Sequence, residues 1–465
     1  NLKTQKKDTI KYVKDFKFAK EGKILAYTTT GQDSIQKSGV FVYDFEKNES
    51  THIHDLKKSK YYNLSLSDSG KQLAFVADED TTKVLLRPYK LYSWKAGEKK
   101  AKLLLDQSNA PSNFYVSQHG KLMFSKDDSK LYFGLKTKPI LKDTLLLKEE
   151  IVNVEVWTYN EPRLYTVQEL QVKDDQKKSF QTVINLKTNT LTQIASPLFP
   201  NTSLVNEGNA NYALVSNPEP YQLESQWNAN WANDYAVVNL TNGTTKKILT
   251  NIGNEAMLSP LANFVYGYNP ADSTWFTYSI KEDKLINFTK GAVFYNELND
   301  SPKHPSSYGK AGWLENDEAL IIYDRYDLWR FNPKSNAFKR LKNGREYKTV
   351  YRYIKLTNEE TSLSKKTKWL LSTFNAKTKN SGYAEFNPKT NKVTQLIDGP
   401  FKYSKPKMSQ LGKQVTFTKE SFKVFPDILT SNLSFKKITK ISEANPQQKD
   451  YNWGNGELIH WTSLD

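Results

Sequence analysis

Apolar and polar positions along the chain fall into two short patterns that repeat. In the first, a polar turn feeds an alternating strand. Copies are "AKEGKILAYTT" (19–29), "SDSGKQLAFVAD" (67–78), "SKDDSKLYFGL" (125–135), "SPLANFVYGYN" (259–269), "LENDEALIIYD" (314–324) and "SQLGKQVTFTK" (409–419). In the second, a strand runs into an Asn, Asp, Gly or Lys turn and a short strand follows, which is a hairpin signal. "FNPKSNAFKRL" (331–341) and "FNPKTNKVTQL" (386–396) are close copies 55 residues apart. Looser copies begin at Tyr43, Tyr92, Ile184, Val238, Tyr278 and Ser431.

One turn-plus-strand followed by one hairpin makes a unit of three to four strands. The hairpins recur every 40 to 55 residues, apart from a gap of 92 between Ser93 and Asn185 that holds extra material such as "TKPILKDTLLLKEEIVN". Four-strand units at this period bury their faces against one another, which is the sequence pattern of a β-propeller. The hairpins predict an all-β chain of eight four-stranded blades, or seven if one is irregular. No Pro-, Gly- or Ser-rich linker divides the chain, so one propeller is expected over 1–445. The ending "ELIHWTSLD" alternates in the same way and predicts an outgoing strand within 446–465.

Composition agrees with strands. The 465 residues include 27 Tyr, 23 Phe and 10 Trp, and aromatic and β-branched residues favour sheets. No apolar run approaches the ~20 residues of a membrane-spanning helix. The absence of Cys excludes disulfides, thiolate metal sites and cysteine nucleophiles. The net charge of +17 comes from lysines spread through turns, not from one basic face, so nucleic acid is not an expected partner. Dispersed lysines instead protect strand edges from pairing with other chains.

Candidate chemistry is sparse. No Gly-x-Ser-x-Gly turn presents a hydrolase serine, and no Gly-rich phosphate loop opens a helix. Of five histidines, His52 and His54 in "THIH" fall on one strand face. With no third ligand in view they read as a solvated strand edge, and no metal is expected. His119 and His304 lie in turn contexts. The pairs Asp127–Asp128 and Glu149–Glu150 are typical of loops. The segment "GKAGWLENDEALIIYDRYDLWRFNP" (309–333) is dense in Trp, Tyr, Asp and Arg: Trp313 and Trp329 read as inter-blade core, Asp324 and Arg325 as turn polars. A sharper reading has Arg325 facing a central channel or an attached domain. In "NPEPYQLESQWNANWANDYAVVNL" (217–240), Glu219, Tyr221, Gln226 and Trp227 are expected in a structural strand pair.

Together "SYGKAGWLENDEALIIYDRYDLWRFNP", "NVEVWTYNEPRLYTVQ", "FKYSKPK…VTFTKESFKVFPDILTSNLSF" and "KISEANPQQKDYNWGNGELIHWTSLD" resemble the propeller of bacterial prolyl oligopeptidase family serine peptidases. The likeness runs from about residue 60 to Asp465. It implies a non-catalytic propeller that gates the access of peptides to a C-terminal α/β-hydrolase domain, toward which 446–465 would lead. The family's Ser, Asp and His lie in that second domain and match no position here. The dipeptidyl peptidase branch holds its substrate's amine with a Glu pair in a motif of the form Asp-Trp-Val-Tyr-Glu-Glu-Glu, which "LLKEEIVNVEVW" does not match. Glu149, Glu150 and Arg325 are the substrate-binding candidates, and no cofactor is expected. The implied partners are peptide substrates, the hydrolase domain and, as an open alternative, a second copy in a homodimer. The implied compartment is the periplasm or the exterior. A stand-alone propeller binding a protein or glycan is the rival reading.

Overall fold

The computed structural model describes residues 5, 7–31, 37–55, 60–141, 143, 145–152, 154, 156–228, 231–289, 292–409, 411–457 and 459–464. Among these, strands form eight antiparallel sheets spanning 13–54, 60–105, 114–193, 201–252, 257–287, 310–340, 349–399 and 402–440, numbered here as blades 1 to 8. In every sheet the strands pair in sequence order, so each is a meander, and eight successive meanders constitute a β-propeller. Blade 3 has its first strand in two pieces, Phe114–Val116 and Met123–Phe124, both paired with Lys130–Thr137. Two compact units hold the blades: Asn1–Gly253 contains blades 1 to 4, and Asn254–Asp465 contains blades 5 to 8.

Local chemistry explains the repeat. The hairpin copies are the third and fourth strands of the blades, and the same turn recurs between them. In blades 1, 3 and 6, a carboxylate or amide oxygen of Asp44, Asn185 or Asn332 accepts backbone N–H groups two and three residues on. Asn48, Asn189, Asn336 and Asn391 then close their turns at φ between 53° and 55°. Asn tolerates that left-handed backbone better than other side chains, which is why it recurs there.

The turn-plus-strand copies are second strands, and these are apolar on both faces. Along Gln72–Asp78, Leu73, Phe75 and Ala77 pack with blade 1 residues such as Val40 and Ile53, while Ala74 and Val76 pack with blade 3 residues such as Leu131 and Phe133. In the second unit, Leu320 and Ile322 face blade 5 while Ile321 and Tyr323 face blade 7. A strand covered on both sides reads as a near-continuous apolar run, as "LAFVA" and "LIIY" do. Trp313 is 1% exposed and stacks on Phe264 of blade 5 at 5.3 Å, so its inter-blade assignment holds.

Two expectations differ from the structure, and a third region, the blade 3 insertion, is given its form by it. The described residues of 451–464 form no strand and are exposed: extended backbone becomes a strand only when another strand pairs with it, and none among the described residues does. The stretch from Glu219 forms two short helices, Glu219–Gln222 and Glu224–Gln226, instead of a strand pair. Pro220 early in the first helix suits that start, and the stretch lacks the alternation of a strand. The extra material of blade 3 lies between its second and third strands and contains the helix Tyr165–Lys177, none of whose side chains is buried. No described helix is long and apolar enough to cross a membrane.

Candidate functional site

The "THIH" strand is not a solvated edge at His54. An extra residue, Ile53, bulges opposite the Val40–Phe41 step, so the partners of His52 and His54 are adjacent residues on opposite faces. His52 stacks on Phe41 at 4.2 Å. His54 is buried: its Nδ1 lies 2.9 Å from the Tyr61 hydroxyl and its Nε2 lies 3.3 Å from Glu79 Oε1. Glu79 also accepts hydrogen bonds from Tyr92 and Lys90, each at 2.6 Å. Burial pushes the His54 imidazole below its usual range, and the facing Glu79 charge offsets only part of this. The cluster ties blades 1 and 2 together.

The acidic turns are equally structural. Asp128 accepts the Ser69 hydroxyl at 2.5 Å, and its backbone carbonyl accepts the Gln72 amide, both from blade 2. Asp127 is held by the hydroxyls of Ser125 and Ser129. In blade 6, buried Asp317 accepts the Ser259 hydroxyl and the N–H groups of Leu261 and Asn263 from blade 5. Asp317, engaged by several donors, stabilises the join between blades 5 and 6, while Asp128 links blade 3 to blade 2 through Ser69 and Gln72.

Of the three binding candidates, Arg325 stands in a built site. It sits in the turn 324–327 between the strands Leu320–Tyr323 and Leu328–Asn332. Asp324 folds this turn: its Oδ1 accepts the N–H groups of Tyr326 and Asp327, at 2.8 and 2.5 Å. Asp327, fully buried, accepts the N–H groups of Gly344 and Arg345. Burial raises the Asp327 pKa against those two donors, and the neighbouring Asp324 charge adds to the rise. Position 344 has to be glycine because an added Cβ would lie 2.3 Å from the Thr349 carbonyl oxygen and 2.9 Å from an Asp327 carboxylate oxygen.

Around this turn stand four cations. Arg352 donates to the carbonyls of Asp324 and Arg325 at 3.0 and 3.1 Å and to Tyr351 at 2.8 Å, with its guanidinium 4.5 Å from the Tyr323 ring centre. Arg345 pairs with both Glu297 carboxylate oxygens, at 3.1 and 3.2 Å, and lies 3.5 Å from Asp324. The buried ring of Tyr326 faces Arg345 and Arg325 at 5.2 Å each and Lys348 at 5.8 Å. Among the described residues, neither Arg325 nor Lys348 has a carboxylate partner. A guanidinium held on an aromatic face with its donors unclaimed is set up to receive a carboxylate or a peptide carbonyl. Sequence reading found Arg325 but missed Arg345, Lys348 and Arg352. Only the Arg of "VYRYIK", charged in the middle of an aromatic strand, gave a local hint.

Glu149 and Glu150 lie in the first unit, on the single 3-10 turn Lys148–Glu150, and both are exposed. Glu150 accepts the Leu147 N–H at 2.8 Å, which caps its own turn. Arg325 belongs to the second unit.

No protein-family model matches the chain, and no curated protein sequence matches it. Solved structures do. An acylaminoacyl peptidase bound to a chloromethyl ketone is similar over 88% of this chain and 57% of its own, at 12% identity and a TM-score of 0.30. The dipeptidyl peptidase 4 of Porphyromonas gingivalis matches over 94% of this chain and 60% of its own, at 9% identity and a TM-score of 0.41. The β-propeller domain of the Trilobed protease from Pyrococcus furiosus matches over 93% and 96%, at 10% identity and a TM-score of 0.30. The chain thus spans less than two thirds of the first and second of these proteins and nearly all of the third, an isolated propeller domain.

Proposed function

We propose that this chain is the peptide-admitting propeller of a prolyl oligopeptidase family serine peptidase, with Arg325 as a contact for the substrate. In this reading the propeller performs no bond cleavage. It restricts what reaches an α/β-hydrolase active site to short or unfolded peptides, and Arg325 receives a carbonyl or carboxylate of the passing chain. Acyl transfer needs a nucleophile, a base and oxyanion donors. The sequence offers neither a Gly-x-Ser-x-Gly turn nor a cysteine.

The observation that carries the reading is a coincidence of position. The segment 309–333, among those most like the family, contains a cation without an acid partner on an over-determined turn. Rigid support suits a binding residue, because the backbone that carries it has no further freedom to lose when the side chain meets its ligand. Glu149 and Glu150 remain a second, solvated candidate pair for the peptide's amine.

Fluorescence anisotropy of a labelled proline-containing peptide tests this on the 465-residue chain. Binding is expected, with Arg325→Ala weakening it about fivefold or more, roughly 1 kcal/mol. Equal affinity in the variant removes Arg325 from the site, and no binding by the wild-type chain removes the reading.

A further inference from the structure

In blades 3 and 4 the connections from second to third strand, 138–179 and 218–232, meet across a cavity of about 530 Å³ within the first unit. That size lies in the range of small-molecule sites. Its one aromatic wall is Trp231, which is 68% exposed; Trp227 nearby is 73% exposed. An exposed indole on a cavity wall offers a ligand a broad, flat apolar face beside a polar N–H.

The polar lining narrows the ligand. Asn201, Asn217, Gln222 and Gln226 line the cavity, and a side-chain amide offers both donors and an acceptor. The Gln222 side chain and that of Asn201 have no hydrogen-bond partner among the described residues, whereas Gln226 donates to the Pro162 carbonyl and Asn217 accepts the Glu219 N–H. Charged groups nearly balance: Arg163 and Lys178 stand against Asp174, Asp175 and Glu219. Arg163 is already engaged by Asp175 at 2.8 Å and by Gln171.

An anion would meet the unpaired acids Asp174 and Glu219. An organic cation would meet Lys178 and Arg163. An extended peptide needs a sheet edge with a row of free backbone groups, and the cavity touches only the first residue of the edge strand Asn201–Ser203. A pyranose fits the remaining chemistry. It offers one face of C–H groups to an indole and a rim of neutral hydroxyls that donate and accept, as amides do. We infer that the cleft formed by the second-to-third-strand connections of blades 3 and 4 is a carbohydrate-binding site. Trp231 is its stacking platform, and Gln222 and Asn201 are its hydroxyl ligands. The site is independent of Arg325 and of the peptidase reading, and an accessory glycan contact is compatible with either.

Saturation-transfer NMR of the full 465-residue chain with maltotriose, cellotriose and chitotriose tests the inference. At least one trisaccharide should bind with a Kd between ~10 µM and ~1 mM. Trp231→Ala and Gln222→Ala should each weaken it tenfold or more, while Trp453→Ala, at an exposed indole of the second unit, leaves it unchanged. Both variants of the site replace surface side chains, and circular dichroism checks that each retains its strands. The inference is overturned if none of the three sugars binds or if Trp231→Ala binds as the wild type does. It is also overturned if a proline-rich decapeptide or spermidine occupies the cleft in place of all three sugars.

Discussion

The connection between the second and third strands of a blade is made in two opposite ways in this chain. In blade 6 it is the four-residue turn 324–327, and in blade 3 it is the insertion 138–179. The short turn is specified from all sides: Asp324 and Asp327 collect four backbone N–H groups, and Arg352 clamps the turn's carbonyls. The insertion is specified by little. Its helix buries no side chain, and Leu145, Val152, Trp157, Tyr159 and Leu170 stand in solvent. Both carry candidate ligand contacts, but they reach them differently. Over-determination fixes the backbone that carries one cation, while the insertion adds a wall to a cleft.

Truncation at the packed blades against truncation on the insertions gives the largest contrast. Trp313→Ala, between blades 5 and 6, should lower unfolding free energy by roughly 3–5 kcal/mol in urea denaturation. Trp157→Ala and Trp231→Ala should stay within about 0.5 kcal/mol, as surface changes do. Equal losses at the buried and exposed tryptophans would remove the distinction.

A smaller effect is expected from the turn itself. Asp327→Ala leaves the Gly344 and Arg345 N–H groups without their acceptor in a buried setting, at a cost of about 1–3 kcal/mol. The exposed Asp174→Ala of the insertion should show no measurable change by the same assay.

The third prediction is a pH dependence. Because burial holds His54 below its ordinary value, the unfolded chain binds a proton there more readily than the folded one. The stability this group permits is therefore fully present above about pH 6.5, its unfolded value, and is lost as pH falls from there toward the lower folded value. His52 and His119 are also lowered by burial and act in the same direction. His54→Gln should make the fall in urea midpoint between pH 7.5 and 5.5 shallower. An unchanged slope would mean that His54 is not held neutral by its surroundings.

Much of this architecture could be read from the chain because it is written locally. Most of the eight hairpins were visible because Asn or Asp organises the turn through its own side chain, and the blade 2 hairpin because Gly97 takes a left-handed backbone there; alternation, besides, needs no tertiary context. The second strands of blades 4 and 7, Tyr212–Asn217 and Trp369–Asn375, lacked a similar turn before them and escaped the first pattern. Alternation misled near the end of the chain, where none of the described residues of 457–464 pairs, and at "THIH", where a single bulged residue reverses the face. Arg325 was legible as a charged residue in an aromatic setting. Its surroundings were not, because Arg345 and Arg352 reach it only after blades 6 and 7 pack. The cleft was invisible for a further reason: the fourth- and third-blade connections that form it carry no repeat at all.

The most direct measurement of the central claim, that this chain binds peptide without cleaving it, is covalent labelling by a fluorophosphonate probe together with turnover of proline-containing chromogenic peptides. The 465-residue chain should take up no stoichiometric label and release no chromophore while still binding the peptide. Stoichiometric labelling of a serine within 1–465, or turnover abolished by replacing one residue of this chain, would contradict the account.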